Sequence, residues 1–321
     1  MLVNMNEPLY SSEKLAADAL SLSSQYDKIL KCVTIGSSHD NRDIIMLKLG
    51  LGKKYMICCG GVHGRESINP IVLMRIIEYY AQLYVTHKER KISLKKQLEN
   101  TMLLKESEYE NMLYGDCIYE LLQTFTILFI PLLNPDGYMA SLKGFQEIRN
   151  GKLREICLSQ GISNTEWKYN GRGVDINRNF TSRLWTAKTP DDTPASENET
   201  KALISVFKEY PANGFLDFHS RGRQIYYHRS AMPDKYNNRQ LEIATRFAEI
   251  TNYELVPPED EMDAGDSGGN TVHYFSENFN EPALTIETVD EEAAFPLDMI
   301  YRFPVFEELK LLIFEFGSMI V

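Results

Sequence analysis

Along the chain, segments with the hydrophobic spacing of helices alternate with segments that have the hydrophobic pattern of strands. Apolar residues three or four positions apart predict helices, the first beginning with Ser11 or Ser12 as its N-cap. Short apolar runs predict strands, and the run 55–59 is apolar throughout, as in a strand buried on both faces. The pattern predicts helices over 12–30, 68–84, 114–122, 196–210, 237–251, 270–279 and 303–316, and strands over 31–35, 44–49, 55–59, 124–131, 214–219, 225–228 and 282–287.

This alternation favours one α/β domain over residues 1–321. The chain contains no internal repeat and no linker long enough to separate two domains, and alternating strands and helices build a sheet with helices on its faces. We expect a mixed, mostly parallel central sheet flanked by helices. The charged stretch around 86–118 is predicted to be a surface helical insertion, because a charge run usually marks a solvated helix face.

Several polar segments are assigned by their turn and capping signals. Asn-Pro-Asp-Gly at 134–137 predicts a turn after the strand 124–131. Residues 140–170 are predicted to be irregular, and 263–269 to form a flexible loop. Ser196-Glu-Asn-Glu has the order of a capping box, which predicts Ser196 as the N-cap of the helix 196–210.

The composition excludes several classes of protein. A formal net charge of −11 and an isoelectric point near 5.2 disfavour a general nucleic-acid binder. Five cysteines with no C-x-x-C spacing indicate reduced thiols rather than a disulfide framework or a thiolate zinc site. We see neither a signal peptide nor an apolar window long enough for a transmembrane helix. We therefore expect a soluble, cytoplasmic protein without a membrane partner, and its oligomeric state stays open.

Candidate chemistry is concentrated at the ends of three predicted strands. His63 and Glu66 follow the strand 55–59, His219 ends another, and Glu287 ends a third. Two histidines and one carboxylate form the open three-ligand set of a catalytic zinc site, and a fourth, unbound carboxylate can move protons. Each residue alone is weak evidence, but strand ends in an α/β sheet meet at a shared crevice.

Five motifs in a fixed order strengthen this hypothesis. With them, the sequence resembles the zinc carboxypeptidase family, whose best-known member is carboxypeptidase A. The matching pieces are His63-Gly-Arg-Glu66, Asn134-Pro-Asp-Gly-Tyr138, Gly173-Val-Asp-Ile-Asn-Arg-Asn-Phe180, Asp217-Phe-His-Ser220 and Thr285-Ile-Glu287.

The resemblance implies a role for each matching residue. It implies one zinc ion per chain held by the ligand set (His63, Glu66 and His219), with Glu287 as general base and then general acid. Asn177 and Arg178 match the pair that binds a substrate carboxylate, a task that suits a guanidinium fork. A cation beside zinc steadies the oxyanion in this family, and Lys168 and Arg172 are both candidates for it.

Other details resemble a bacterial branch of the family, the γ-D-glutamyl-L-diamino acid peptidases. Residues 167–177 and 219–227 carry this likeness, which implies a short cell-wall peptide with a free carboxylate as substrate. Arg221 and Arg223 are candidates for binding further carboxylates of such a peptide, or are ordinary charged residues at the end of a strand. Arg65 is a substrate-side or structural charge. The mobile-loop tyrosine of the digestive enzymes has no counterpart in 262–269, and Tyr274 is a weak substitute.

Three other functions remain alternatives. The first is an ordinary carboxypeptidase that releases a C-terminal amino acid. The second is a deacylase resembling the aspartoacylases, to which the motifs around residues 134 and 177 are less suited. The third is a non-catalytic metal- or peptide-binding module, which would be expected to lack the proton-transferring glutamate, whereas Glu287 is present.

Overall fold

An eight-stranded sheet organises the chain in the computed structural model, which describes residues 2–97, 106–262 and 268–321. The strands are β1 Leu30–Ser37, β2 Asp43–Leu49, β3 Lys54–Gly60, β4 Phe125–Ile130, β5 Ala212–Ser220, β6 Gln224–Tyr226, β7 Glu254–Leu255 and β8 Ala283–Thr288. The helices are α1 Ser12–Gln25, α2 Ile68–Gln97, α3 Glu106–Thr124, α4 Pro135–Lys143, α5 Gly151–Ser159, α6 Asn198–Glu209, α7 Asp234–Thr251, α8 Thr271–Phe279, α9 Arg302–Leu309 and α10 Leu312–Met319.

The strand order is β1-β2-β4-β3-β5-β8-β6-β7. The four central strands β4, β3, β5 and β8 run parallel to one another, as do β6 and β7. The pairs β1–β2, β2–β4 and β6–β8 are antiparallel. The predicted fold class, one α/β domain with a mixed, mostly parallel sheet, is therefore confirmed.

Two apolar layers cover the sheet, one on each face. Alternate residues of β3 enter different layers: Met56 and Cys58 pack into one, and Ile57 and Cys59 into the other. Side chains alternate between faces along a strand, so a strand covered on both sides must be apolar at every position. This explains the continuous apolar run at 55–59, and it leaves the carboxyl ends of the strands as the place for polar chemistry.

Some predicted element boundaries were wrong. The segment at 134–137 is the start of α4, where Asn134 accepts a hydrogen bond from the Gly137 N–H and Pro135 occupies the first turn. The segment 140–170 contains α5, capped by Asn150. The last predicted helix is two helices, α9 and α10.

The capping box at 196–199 does not form. The cap residue is Glu197, whose side chain makes no cap hydrogen bond, and the Ser196 hydroxyl donates to Oε1 of Glu197 instead. Ser196 also accepts a hydrogen bond from the side chain of Asn179, which holds it away from the helix axis. Tertiary contacts thus replace the local capping pattern that the sequence suggested.

Parts of two predicted segments lie outside the described residues. These are 98–105 of the predicted insertion and 263–267 of the predicted flexible loop. On either side of 98–105 the chain is helical, because α2 runs to Gln97 and α3 begins at Glu106. His87 on α2 lies 2.6 Å from the carboxylate of Asp116 on α3. Among the described helices, none is long and apolar enough to cross a membrane.

Close backbone contacts fix the loop that follows β3. Gly61 has a φ of +61°, and a side chain at Gly64 would begin 2.4 Å from the carbonyl oxygen of Gly137. Glycine tolerates both conditions because it lacks a Cβ atom. The loop therefore lies against α4, and its next residues are held at the carboxyl edge of the sheet.

Candidate active site

Three side chains converge at the carboxyl ends of β3 and β5. Nδ1 of His63 lies 2.6 Å from Oε1 of Glu66, and Nδ1 of His219 lies 3.1 Å from Oε2 of the same carboxylate. The two Nδ1 atoms are 3.2 Å apart. Because β3 and β5 are adjacent parallel strands, their ends bring residues 156 positions apart into contact.

Carboxylates on the far side of each imidazole orient the two rings. Nε2 of His63 lies 3.3 Å from Asp175, and Nε2 of His219 lies 3.0 Å from Asp217, which also accepts a hydrogen bond from the Thr271 hydroxyl. An imidazole that donates through Nε2 presents a lone pair at Nδ1. Two imidazole Nδ1 atoms and a carboxylate facing one point are what a zinc ion requires, so the donor set fits zinc.

The contacts between the imidazoles and the carboxylates shift the pKa values of both groups. Burial acts to raise the pKa of Glu66, but the two imidazoles beside it lower that pKa to about 2. Burial acts to lower the pKa of His219, while Asp217 and Glu66 together hold it well above its usual value. The carboxylate is thus ionised and ready to bind a cation at neutral pH.

Glu287 adds a second kind of carboxylate to the site. It lies on β8, directly opposite His219 in the parallel register of β5 and β8. Burial raises its pKa to about 8, opposed by His219 and reinforced by Glu66. A divalent cation nearby favours the ionised form and so moves this pKa downward, toward the range useful for proton transfer near neutral pH.

Two cavities meet at this cluster, and His63 and Glu287 line both. The inner cavity, of about 210 Å³, also contains Asn177, Arg178 and Arg229 along its wall. The outer cavity, of about 280 Å³, is lined among others by Lys168. The two cavities therefore provide space on both sides of the cluster.

The family model for zinc carboxypeptidases matches residues 17–105 and 109–300. The chain belongs to the zinc carboxypeptidase family. It is 24% identical over 271 residues to carboxypeptidase A2 of Mus musculus, covering 79% of this chain and 57% of that protein. It is 26% identical over 249 residues to the inactive metallocarboxypeptidase ECM14 of Paracoccidioides brasiliensis, covering 69% of this chain and 35% of that protein. The chain thus spans less than two thirds of the length of these curated relatives.

Solved structures of the zinc carboxypeptidase family share the fold. Bovine thrombin-activatable fibrinolysis inhibitor, in complex with tick carboxypeptidase inhibitor, superimposes with a TM-score of 0.70 over 96% of each chain. The sequence identity is 18%, so this likeness concerns the fold alone.

Within this zinc carboxypeptidase fold, Lys168 lies at the cluster and Arg172 lies apart. The Lys168 ammonium is 2.7 Å from Oδ2 of Asp175, the carboxylate that faces His63. The Arg172 guanidinium instead contacts Glu197 at 3.2 Å and lines neither the inner nor the outer cavity.

The other predicted substrate-side residues are divided between the cavities and the core. Asn177 and Arg178 line the inner cavity, while Arg65 and Arg221 line the outer one, both close to the ring of Phe295. Tyr274 is not brought to the site, because α8 packs it against Phe180 and Phe207 in the apolar layer. Arg223 is paired with Glu308 and also lies away from the cluster.

Sequence reasoning missed four polar residues of the site. Asp217 is two positions before His219, so both side chains point to the same face of β5, a period-two signal that was available. Asp175 is part of a quoted motif but was given no role. Arg229 and Glu261, by contrast, reach the inner cavity from the segments that follow β6 and β7, and no local pattern marks either of them.

Proposed function

We propose that the protein is a zinc-dependent peptidase that hydrolyses an amide bond next to a free carboxylate. The observation that carries this proposal is the position of Glu287, beside the three-ligand cluster and on the wall of both cavities. A binding module needs the ligands but has no use for a buried, unbound carboxylate at this point. Zinc, when bound here, supplies a more acidic water and polarises the carbonyl of the scissile bond.

The chain's own residues then handle the proton and the developing charge. Glu287 takes a proton from the attacking water and returns it to the nitrogen of the leaving amine. Lys168, on the outer cavity, supplies positive charge near the carbonyl oxygen, and its contact with Asp175 keeps the ammonium at the cluster. Its position favours Lys168 over Arg172 for this role.

The inner cavity suits a released residue that carries a carboxylate. The Asn177 side chain is fixed there, because its oxygen accepts a hydrogen bond from the Thr271 N–H. Arg178 lies next to it on the same short turn, Ile176–Arg178. A guanidinium and an amide on one wall can hold a carboxylate by several hydrogen bonds.

Opposite charges deeper in the inner cavity favour a diamino acid as the released residue. Burial acts to raise the pKa of Glu261, but hydrogen bonds from His273 and Ser230 lower it to about 2, so this carboxylate is ionised. Arg229, fully buried, places a positive charge on the wall of the same cavity. An amine and a carboxylate at the end of one side chain match this pair, as in diaminopimelate, which makes γ-D-Glu-diaminopimelate peptides of the cell wall our proposed substrates.

Two alternative functions can be distinguished by one experiment. An ordinary carboxypeptidase would use the inner cavity for a simple C-terminal side chain. A non-catalytic binding module is favoured by one finding, the inactive metallocarboxypeptidase among the relatives. The presence of Glu287 argues against that second alternative.

The test is a comparison of substrates. The purified protein, loaded with zinc, is offered L-Ala-γ-D-Glu-diaminopimelate beside N-acylated dipeptides with ordinary C-terminal residues. We expect faster cleavage of the diaminopimelate peptide, and cleavage of both substrates slowed by at least about 100-fold in Glu287→Gln. Cleavage of the dipeptides alone would support the ordinary carboxypeptidase, and binding without cleavage would support the binding module.

A further inference from the structure

A second histidine–carboxylate cluster lies outside the proposed catalytic site. His39 is in the loop between β1 and β2, and Glu197 and Glu199 are at the start of α6. Nε2 of His39 lies 3.0 Å from Oε2 of Glu197 and 4.0 Å from Oε2 of Glu199. The three donor atoms lie within 4.8 Å of one another, as do those of His63, Glu66 and His219, the proposed catalytic cluster.

Without a bound cation, burial of the two carboxylates in this cluster destabilises the folded protein. The side chains of Glu197 and Glu199 are 1% and 0% exposed, while that of His39 is 17% exposed. Buried carboxylates are stable only when charge or hydrogen bonds compensate them. Arg172 contacts Glu197, but its side chain is 45% exposed and it meets the other oxygen, Oε1. His39 faces both carboxylates, and its Nε2 also accepts a long hydrogen bond, 3.5 Å, from the N–H of Asn198.

Glu199 also carries an atom that the protein does not satisfy. Its Oε1 is buried and has no hydrogen-bond partner, while its Oε2 is the oxygen that faces His39. An orphaned oxygen in a fully buried glutamate is unusual, because buried polar atoms nearly always have a partner.

Asn170 holds the two carboxylates in place from behind. Its side-chain oxygen accepts hydrogen bonds from the N–H groups of Arg172 and Val174, which fixes the orientation of the amide. Its NH₂ group then donates to Oε2 of Glu197 at 2.8 Å and of Glu199 at 3.2 Å. Each carboxylate oxygen accepts two hydrogen bonds or ligand bonds, so one position on each remains. Metal-ligating carboxylates are commonly supported in this way.

We propose that His39, Glu197 and Glu199 form a second site, for a divalent transition-metal ion. One imidazole nitrogen and two carboxylate oxygens suit Zn²⁺ or Mn²⁺, and the exposed side of His39 leaves room for water as a further ligand. Donor separations of 3.0 and 4.0 Å bracket the roughly 3.4 Å expected for ligands about 2.1 Å from one tetrahedral ion.

The position of this site gives it a structural role. Asn170 belongs to the loop that carries Lys168, Asp175 and Arg178 to the catalytic cluster. A cation that joins the β1–β2 loop to the start of α6 therefore also fixes, through Asn170, the base of that substrate-side loop. The inference does not depend on the reaction proposed above.

The test is a count of tightly bound metal in the whole protein. Chelated protein is dialysed against Zn²⁺, and zinc per chain is measured together with the melting temperature. We expect two zinc ions per chain in the wild type and one in His39→Ala, Glu199→Gln and the catalytic-cluster variant His219→Ala. The matched control is His87→Ala, another partly buried histidine paired with a carboxylate, which should retain two.

Glu199→Gln keeps the shape of the side chain, so it remains informative if His39→Ala fails to fold. Both variants should keep the catalytic zinc but lose the rise in melting temperature that the second equivalent of zinc produces. One zinc per chain in the wild type, with none in His219→Ala, would overturn the inference. Two zinc ions in folded Glu199→Gln would overturn it equally.

Discussion

The two histidine–carboxylate clusters use the same residue types in different surroundings. In the catalytic cluster, two imidazoles flank one carboxylate, and the donor atoms are 2.6 to 3.2 Å apart. In the second cluster, one imidazole faces two carboxylates at 3.0 and 4.0 Å. The first lies at the ends of parallel strands and opens on two cavities, while the second lies between a loop and a helix start.

The two clusters differ in which group carries a proton when no metal is bound. Two imidazoles lower the pKa of Glu66 to about 2. Burial and Asp136 instead raise the pKa of Glu199 to about 7. A cation that binds the first cluster therefore meets an ionised carboxylate and displaces a proton from the imidazole of His219, whereas in the second cluster the proton that it displaces is on a carboxyl group, that of Glu199.

Replacing Glu287 should give the largest effect and should separate catalysis from metal binding. In Glu287→Gln we expect turnover to fall by about 10²–10⁴-fold, because the amide cannot carry the proton. Zinc content should stay at the wild-type value, since Glu287 is not in the ligand set. Turnover and zinc content measured on the same preparation test both statements.

The matched control is Glu291→Gln. Glu291 lines the outer cavity but is exposed and outside the cluster, so its variant should keep most of the activity. Retained activity in Glu287→Gln would remove this residue from the proton pathway. Equal losses in the two variants would assign the effect to the charge of the cavity as a whole.

Stepwise return of metal to the chelated protein should distinguish the two clusters directly. The first equivalent of zinc should restore activity, because the carboxylate of Glu66 is already ionised and the three donor atoms already lie 2.6 to 3.2 Å apart. The second should add stability with little change in activity, by about 2.7 kcal/mol when free zinc is 100 times its dissociation constant. Activity and denaturant unfolding are followed at each addition. Simultaneous recovery of both properties at one equivalent would contradict the distinction.

Removing the carboxylate behind His219 should weaken only the catalytic cluster. Asp217→Asn keeps the shape of the side chain but removes the charge that orients the imidazole. We expect a loss of roughly 10–100-fold in affinity for the catalytic zinc, the usual effect of such supporting residues. Competition with a chromophoric chelator measures it, and the affinity of the second cluster serves as the internal control. An equal change at both sites would indicate general destabilisation instead.

The strand-end chemistry of this fold was predictable from the sequence for a physical reason. β3, β5 and β8 are neighbouring parallel strands, and polar residues at their carboxyl ends must converge at one edge. His219 and Glu287 are even in register. The sheet, its mixed topology and the assembly of these side chains thus follow from short local patterns, helped by the family resemblance.

Side chains on loops were not predictable in the same way. Lys168 and Arg172 are four positions apart in an aperiodic segment, and a contact with Glu197, distant in sequence, draws Arg172 away from the cluster. The second cluster joins residues from positions 39 and 197, which no periodicity relates. The burial of Tyr274, in contrast, was predictable from the sequence. Its neighbours Val272 and Phe275 on α8 are apolar and already favoured burial in the apolar layer.

The smallest predicted effect is a change in how stability depends on pH, which isolates Glu199. The pKa of this carboxyl group is raised in the folded state, from its ordinary 4.5 to about 7. Between those two values the folded protein retains a proton that the unfolded chain releases. The free energy of unfolding therefore decreases as pH rises through this window. We expect a decrease on the order of 1–2 kcal/mol, since each unit is about 1.4 kcal/mol and buried groups relax.

Chelated wild type and chelated Glu199→Gln should be unfolded with urea between pH 4.5 and 7. Every other titrating group is common to both proteins, so the difference between their slopes reports Glu199 alone. We expect the free energy of unfolding of the variant to lack the part of the decrease with rising pH that Glu199 causes. Identical slopes in the two proteins would contradict this prediction. Added zinc should flatten the wild-type slope as well, because a cation at His39, Glu197 and Glu199 favours the ionised carboxylate of Glu199 and displaces its proton.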